Sequence, residues 1–234
     1  MSLQDGRSGF FDGYNLIDNQ ADLIIVARTM SADERRYANN AGVSLIETPI
    51  ALDALDFIIN SENTLNSLSV EQIQNIYLGN ITNWSEVGGA DEAILPFIRN
   101  ANSGSQEMMN EIVMSGTGIP NWEESLFDEE GLTIESMTVV FHEVKRNPNG
   151  ICFTPHYFKE YQMGFPEDSV KTVAVNRIMP GKNSIKNMTY PFVANVYVSI
   201  RSNTSTNSMT YKVYEWLQSK SGKKAIEESG YVPN

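Results

Sequence analysis

The chain has 234 residues, of which 41% are hydrophobic and 10% aromatic, and a formal charge of −12. This length and apolar content support one large domain or two small lobes, and they exclude a disordered acidic tail. The negative charge argues against nucleic acid or an anionic membrane surface as a partner, since both select clustered Lys and Arg. A single Cys and two His exclude an internal disulfide and a Cys-rich zinc site. We therefore expect neither a metal nor a cofactor.

Strand-like apolar runs alternate with helical stretches from the start of the chain, which favours an α/β fold with parallel strands. Residues 22–27 predict a strand. Ser31 and Glu34 then have the spacing of a capping box, which predicts a helix that continues toward residue 40. Residues 43–48 and 53–60 predict two further strands.

The pattern continues through the rest of the chain. A helix is predicted over residues 70–77, where apolar residues share one face. A short strand over 94–98 and a helix from 106 to about 114 follow, and residues 132–142 predict another helix. The remaining predicted elements are strands over 150–154, 170–175 and 192–200 and helices over 209–218 and 223–228.

The loop between the predicted strand at 94–98 and the next helix carries the most informative polar residues. Ser103 and Gln106 have capping-box spacing, and Gly104 permits close approach of the backbone. The N–H groups at a helix start attract anions, while Arg99 can add a forked pair of charged donors and Ser105 a hydroxyl. Two interpretations remain open on this pattern: a site for a tetrahedral oxyanion, or an ordinary capped loop with a surface Arg.

Other residues with chemical potential have simpler structural interpretations. Cys152 lies within a predicted strand and Trp84 within a loop, so both are expected to pack in the core. His142 and His156 show no metal-ligand spacing, and solvated or capping roles are expected for them. The acidic residues within 123–130 lack the spacing of a calcium loop and predict a solvated face.

A family resemblance extends along almost the whole chain. Residues 68–89, followed by Arg99 and then Ser103-Gly104-Ser105, resemble the phosphate-binding proteins of bacterial phosphate ABC transporters. Further segments match that family in the same order, namely residues 21–27, 150–153, 190–192 and 222–233.

The resemblance implies a two-lobed periplasmic-binding-protein fold of type II, with mixed sheets flanked by helices and the ligand in a cleft between the lobes. Residues 1–60 and 183–234 would form lobe I, and residues 61–182 would form lobe II. It also implies a non-catalytic solute-binding protein that delivers phosphate, or a similar small oxyanion, to an ABC transporter permease. An extracytoplasmic location is expected, periplasmic or as a membrane-anchored lipoprotein, with the signal segment absent from this chain.

Within this family the loop binds the anion, which implies that Arg99, Ser103, Gly104 and Ser105 are the ligand-binding residues. Two departures from the family pattern favour an alternative. The first strand element and its loop are missing before residue 22, and Ala27 occupies the position where phosphate-selective members carry an acidic residue. The alternative is a truncated module with a sensory or protein-interaction role, which could form a homodimer through an exposed sheet edge.

An enzyme is the third class of function, and the sequence gives it little support. Ser103 or Ser105 could act as a nucleophile only with a base beside it, and the G-x-S-x-G elbow is absent. We therefore expect a non-catalytic protein.

Overall fold

The computed structural model describes residues 12–99, 103–116, 119, 133–134, 137–162 and 169–234. The helices in these ranges are α1 (Asp12–Ile17), α2 (Ala32–Asn40), α3 (Val70–Tyr77), α4 (Gly104–Met108), α5 (Met137–Arg146), α6 (Lys182–Lys186), α7 (Met209–Gln218) and α8 (Lys220–Glu228). The strands are β1 (Leu23–Val26), β2 (Leu45–Asn60), β3 (Ser67–Leu68), β4 (Leu95–Pro96), β5 (Ile98–Arg99), β6 (Thr133–Ile134), β7 (Gly150–Pro155), β8 (Val170–Val175), β9 (Val193–Arg201) and β10 (Val232–Pro233).

Three irregular helical turns complete the described elements. A 3₁₀ turn spans Trp84–Val87. A π-helical turn, Met109–Val113, directly continues α4, and a second, Phe158–Gln162, follows β7. None of the helices in the described part of the chain is long and apolar enough to cross a membrane.

The chain divides into two compact units that do not follow sequence order. Unit 1 contains Met1–Ala51, Asn195–Ser229 and Pro233–Asn234, and unit 2 contains Leu52–Ala194 and Gly230–Val232. β2 and β9 each pass from one unit into the other. The boundaries predicted for the two lobes, at residues 60 and 183, stay a prediction.

Unit 1 is built around β9, which lies between β1 and β2 in the strand order. β1 is antiparallel to β9, with Leu23 opposite Ile200 and Val26 opposite Tyr197. Leu16, Ile24 and Met30 form a small apolar core beside this pair.

Unit 2 contains a mixed sheet around the second half of β2. β7 and β8 are both antiparallel to β2, β4 is parallel to β7, and β3 is parallel to β8. Every residue of β2 from Ile50 to Asn60 is buried, so this strand lies at the centre of the core. The mixed α/β architecture predicted for the chain is confirmed, although the antiparallel pairs show that the sheet is not the parallel one that alternation alone suggested.

Two apolar groups fill unit 2. Aromatic rings of Phe57, Tyr77, Phe153 and Phe192 pack at centroid separations of 5.6–6.3 Å. On the other side of the sheet, one face of α5 packs against β2 and β7. That cluster of buried side chains consists of Ile58, Phe97, Val140, Phe141, Val144 and Cys152.

Several predicted boundaries need correction. The strands predicted over 43–48 and 53–60 are one continuous strand, β2, because the fixed φ of Pro49 is compatible with extended backbone. The helix predicted from 106 begins at Gly104 and changes to π geometry after Met108. Within the region predicted as a helix over 132–142, the described residues form the short strand β6 and then α5, which extends to Arg146.

Other predicted elements are confirmed. The capping box at α2 is present, since Ser31 Oγ accepts from Glu34 N at 3.2 Å and Glu34 Oε2 accepts from Ser31 N at 2.8 Å. β8 has the predicted bounds of 170–175, and α7 has the predicted bounds of 209–218.

Candidate functional site

The candidate anion loop lies in unit 2, where β5 ends at Arg99 and α4 begins after Ser103. Ser103 is the N-cap of α4, and its Oγ accepts from Gln106 N at 3.3 Å. Helix geometry leaves the N–H groups of Gly104 and Ser105 without an acceptor inside the helix. Gly104 is exposed, whereas Ser105 is buried. Residues 100–102 lie outside the described part of the chain.

Arg99 is held in place although it is a charged residue in an apolar region. It is 6% exposed, and its Nη1 donates to Ser105 Oγ at 3.3 Å. Burial lowers the pKa of Arg99, and the guanidinium still remains charged in neutral solution. Ser105 Oγ also lies 2.9 Å from Ser103 Oγ, so the two hydroxyls and the guanidinium form one connected group.

The Gln106 side chain has a different role from the one that the capping-box spacing predicted. Its side chain does not complete the predicted box: Gln106 Oε1 accepts from Arg99 N at 2.9 Å, and Gln106 Nε2 donates to Asn110 Oδ1 at 3.1 Å. The helix thereby fixes the backbone of the last strand residue. The half of the capping box that Ser103 Oγ provides therefore forms. The Gln106 side chain, which would provide the other half, holds the backbone of Arg99 instead.

The structure thus brings together Arg99, Ser103, Gly104 and Ser105, the residues that the sequence selected. The result is one buried cation, two hydroxyls and the start of a helix, all of which are donors suited to an oxyanion.

Ala27 and Arg28, the residues at the departure from the family pattern, lie in unit 1. The Arg28 guanidinium donates to Glu34 Oε2 at 2.6 Å and to Glu34 Oε1 at 3.1 Å. Burial alone would raise the pKa of Glu34, but its hydrogen bonds with Arg28 and Ser31 outweigh that effect and lower it. Arg28 therefore serves in an ion pair with the buried carboxylate of Glu34.

The other residues considered from sequence have structural roles. Cys152 is fully buried, and burial raises the pKa of its thiol to about 12, so it is no nucleophile. Trp84 is buried and its Nε1 donates to Asn149 O at 3.1 Å, as expected for a loop anchor. His142 is exposed. The acidic residues within 123–130 lie outside the described residues.

A second polar group in unit 2 was missed by the sequence reasoning. Asp56, in the middle of the buried strand β2, lies 2.9 Å from His156 Nδ1 and accepts from Lys159 Nζ at 3.1 Å, both through Oδ2. Glu160 Oε1 pairs with the same ammonium at 2.6 Å. Two features of the sequence could have indicated this group: an Asp within an apolar strand, and the i, i+4 spacing of His156 and Glu160.

This cluster has the donor atoms for a metal but already contains a cation. Asp56, His156 and Glu160 could each offer a ligand atom, all within 4.8 Å of one another. The Lys159 ammonium, however, contacts both carboxylates, so it neutralises the charge that a metal would require. Burial opposes protonation of His156, but the hydrogen bond with Asp56 outweighs it and raises the pKa of His156. The same carboxylate raises the pKa of Lys159 against the effect of burial.

The comparison with protein families decides the identity of the fold. A model described as a PBP superfamily domain matches residues 14–221, which is most of the chain. The chain belongs to the PBP superfamily. The PBP-like fold that the loop and the flanking motifs indicated is therefore confirmed.

Several relatives within this superfamily have names that refer to phosphate. The phosphate-binding protein PstS of Borreliella burgdorferi is 26% identical over 190 residues, which cover 80% of this chain and 65% of that protein. A solved phosphate transport receptor from Vibrio cholerae has 25% identity and a TM-score of 0.69, with 94% of this chain and 83% of that one covered. A structure from Clostridium perfringens that holds bound phosphate has 22% identity and a TM-score of 0.74, with 95% and 83% covered.

This chain spans less than two thirds of the length of the Borreliella relative. At 22% and 25% identity, these solved structures show the fold of the chain. The evidence for a ligand comes from the residues of the site.

Proposed function

We propose that this PBP superfamily chain is a non-catalytic solute-binding protein that captures a small oxyanion, phosphate above all, for an ABC transporter. The observation that carries the proposal is the connected group of Arg99, Ser103 and Ser105 at the start of α4. Arg99 is 6% exposed, and its Nη1 lies 3.3 Å from Ser105 Oγ. A buried guanidinium beside two hydroxyls and the start of a helix provides the donors that bind an oxyanion.

The proposed ligand contacts follow from the chemistry of each group. Arg99 would supply the charge and a forked donor, Gly104 and Ser105 would donate backbone N–H groups, and the hydroxyls of Ser103 and Ser105 would complete the shell. These groups bind and orient an anion, and no described residue beside them acts as a base. The names of the relatives, which refer to phosphate binding and phosphate transport, support phosphate as the anion.

An ABC transporter permease and an extracytoplasmic location belong to the same proposal. Their support is the transport role stated in the names of the matched structures. The absence of an acidic residue at position 27 leaves the selectivity among phosphate, sulfate and molybdate to be measured, because a carboxylate there would accept the proton of hydrogen phosphate.

Calorimetric titration of the chain with phosphate, sulfate and molybdate tests the proposal. Phosphate is expected to release measurable heat, and Arg99→Ala is expected to weaken its binding about 100-fold, or about 2.7 kcal/mol. Arg146→Ala is the matched control, because that Arg is 73% exposed at the end of α5 and should leave the affinity unchanged. Absence of heat with all three anions would refute the proposal, as would equal effects of the two substitutions.

A second candidate, an interaction module that self-associates, rests on the edge of β1. β1 pairs with β9 on one side and with no strand among the described residues on the other, and Ile25 on this strand is 48% exposed. Such an edge can pair with a second copy of the chain. Light scattering after size-exclusion chromatography distinguishes the candidates: a dimer that Ile25→Lys converts into a monomer supports self-association, and a strict monomer excludes it.

A further inference from the structure

Gln106 joins the two parts of the chain that form the anion loop, the end of β5 and the start of α4. The residue is 5% exposed, its Oε1 accepts from Arg99 N at 2.9 Å, and its Nε2 donates to Asn110 Oδ1 at 3.1 Å. We infer, on the basis of the function proposed above, that Gln106 is a positioning residue that acts through Arg99 and sets the affinity of the site for its anion.

The chemistry of the two partners fixes the orientation of the Gln106 amide. A backbone N–H can only donate, so the amide oxygen must face Arg99 and the amide nitrogen is left to face Asn110. Asn110 in turn presents its oxygen to that nitrogen. Both ends of this buried amide are therefore paired, and a side chain of similar length without the amide, such as methionine, could not replace both bonds.

β5 alone gives Arg99 little support. The strand consists of Ile98–Arg99 only and is parallel to β6, where Arg99 lies opposite Ile134. A strand this short contributes few backbone hydrogen bonds. The Arg99 guanidinium donates to Ser105 Oγ at 3.3 Å, which is long for a hydrogen bond. The bond from Arg99 N to Gln106 therefore helps to hold the cation in place relative to α4, the helix that supplies the hydroxyl and N–H donors.

The π-helical turn after α4 holds the other end of the Gln106 side chain. Asn110 lies within this turn, Met109–Val113. Gln74 Nε2, on α3, donates to Val113 O at 2.7 Å and so attaches the turn to a second helix. Single π turns within α-helices occur frequently at functional sites. The turn is thus a second, independent indication that the Gln106 contact serves the loop.

The position of Arg99 before the ligand arrives affects how tightly the anion binds. A long charged side chain that is free to move must be ordered on binding, which weakens the affinity by up to about tenfold. Gln106 restrains the Arg99 backbone in advance and so reduces this loss. Removal of the Gln106 contact should therefore weaken anion binding although every group that touches the anion remains.

Calorimetric titration of Gln106→Met with phosphate tests this role. Methionine keeps the length of the side chain but removes the amide, and we expect phosphate to bind about tenfold more weakly than to the wild-type chain. Gln72→Met is the matched control, because Gln72 Oε1 also accepts from a backbone N–H, that of Ser69 at 2.8 Å, but does so at the start of α3. The control should leave the phosphate affinity unchanged. An unchanged affinity in Gln106→Met, or an equal loss in both variants, would overturn the inference.

A double-mutant cycle shows whether Gln106 acts through Arg99. Arg99→Ala alone is expected to weaken phosphate binding about 100-fold, and the addition of Gln106→Met should then reduce the affinity by less than about twofold more. A residue that supports the loop independently of Arg99 would give losses that multiply. Such multiplication would refute a positioning role.

Amide hydrogen exchange of Arg99, followed by NMR, reports the contact without any ligand. The Arg99 N–H should exchange at least about tenfold faster in Gln106→Met than in the wild-type chain, because its acceptor is gone. Equal exchange in the two proteins would show that Gln106 does not hold Arg99.

These measurements distinguish failure of the Gln106 role from failure of the proposed function. If the wild-type chain binds phosphate and Gln106→Met binds it equally well, only the role of Gln106 is refuted. If the wild-type chain gives no heat with any of the three anions, the proposed function fails and the role of Gln106 fails with it.

Should Gln106→Met fail to fold, Asn110→Leu provides a second variant. Asn110 is half-buried, and its substitution removes the acceptor of Gln106 Nε2 but keeps the acceptor of Arg99 N. Phosphate affinity should fall about threefold, with faster exchange of the Arg99 amide. Wild-type values for both measurements would contradict the inference.

Discussion

Two polar groups in unit 2 differ in how their charges are balanced. In the anion loop, the guanidinium of the buried Arg99 donates to Ser105 Oγ, and the backbone N–H of Arg99 donates to the Gln106 amide oxygen. The group around Asp56 contains two carboxylates, Asp56 and Glu160, and two basic side chains, His156 and Lys159, that contact them directly. The first arrangement presents donors suited to an anion, while the acids and bases of the second pair with one another.

This contrast distinguishes the proposed binding site from a structural ion cluster. Removing one partner of a buried ion pair leaves an uncompensated charge and costs stability. Removing a neutral hydroxyl that supports an anion site costs affinity and little stability. Substitutions in the two groups should therefore affect different measurements, and the following predictions use that difference.

The largest effect on stability is expected at Asp56, which is fully buried between His156 and Lys159. Asp56→Asn keeps the shape of the side chain but leaves both bases without their counter-charge. We expect the free energy of unfolding to fall by about 3 kcal/mol, as measured by urea denaturation.

Asp33→Asn is the control for that measurement. Asp33 pairs with Arg36 at 2.8 Å, but their side chains are 68% and 72% exposed, so water screens the pair. Its removal should change stability by less than about 0.5 kcal/mol. If Asp56→Asn had an equally small effect, the cluster would not be a stabilising element and the contrast with the anion loop would fail.

A pH-dependent effect is expected at Asp53, where burial raises the pKa of the carboxyl to about 6 from 3.8. Because the folded chain binds this proton more tightly than the unfolded chain does, the associated stability is fully present below pH 3.8 and is lost as the pH rises through about 6. The wild-type chain should therefore lose about 2 kcal/mol relative to Asp53→Asn over this interval.

Urea denaturation of both proteins at several pH values checks this expectation. The difference between the two isolates Asp53 from other groups, such as His156, whose raised pKa also removes stability as the pH rises through it. A difference between the proteins that does not change with pH would show that folding does not raise the pKa of Asp53.

The sequence predicted the anion loop but not the acidic cluster, and the reason is the distance along the chain. Arg99, Ser103, Gly104 and Ser105 lie within seven residues, so local rules for helix starts apply to them. Asp56 and His156 are 100 residues apart and meet only because β2 is antiparallel to β7, with Asp56 opposite Thr154. Strand register cannot be obtained from local patterns.

The fold shows the same division between local and distant information. Alternation and capping predicted α2, β8 and α7 well, since each depends on neighbouring residues. The assignment of Gly230–Val232 to unit 2 depends instead on stacking of Tyr231 against a residue 74 positions earlier, Tyr157.

A loss of affinity without loss of stability is expected at Ser105. Its Oγ accepts from Arg99 Nη1, so Ser105→Ala removes both a ligand donor and a support of the guanidinium. Phosphate affinity should fall about tenfold by calorimetry, while the free energy of unfolding should change by less than about 1 kcal/mol. A large loss of stability with unchanged affinity would place Ser105 with the structural cluster instead.

Two substitutions at Ser103, both with small expected effects on stability, separate helix capping from anion binding. Ser103→Ala removes the N-cap of α4 and should cost about 1 kcal/mol of stability. Ser103→Asp keeps a good N-cap, so stability should be preserved, but its carboxylate lies where the anion would bind and should abolish phosphate binding by like-charge repulsion. A loop that merely caps a helix would tolerate the Asp variant in both measurements. If the loop is an anion site, Ser103→Asp should leave the stability unchanged but abolish phosphate binding. The negative charge that favours the start of the helix then competes with the ligand for Arg99 and for the N–H groups of Gly104 and Ser105.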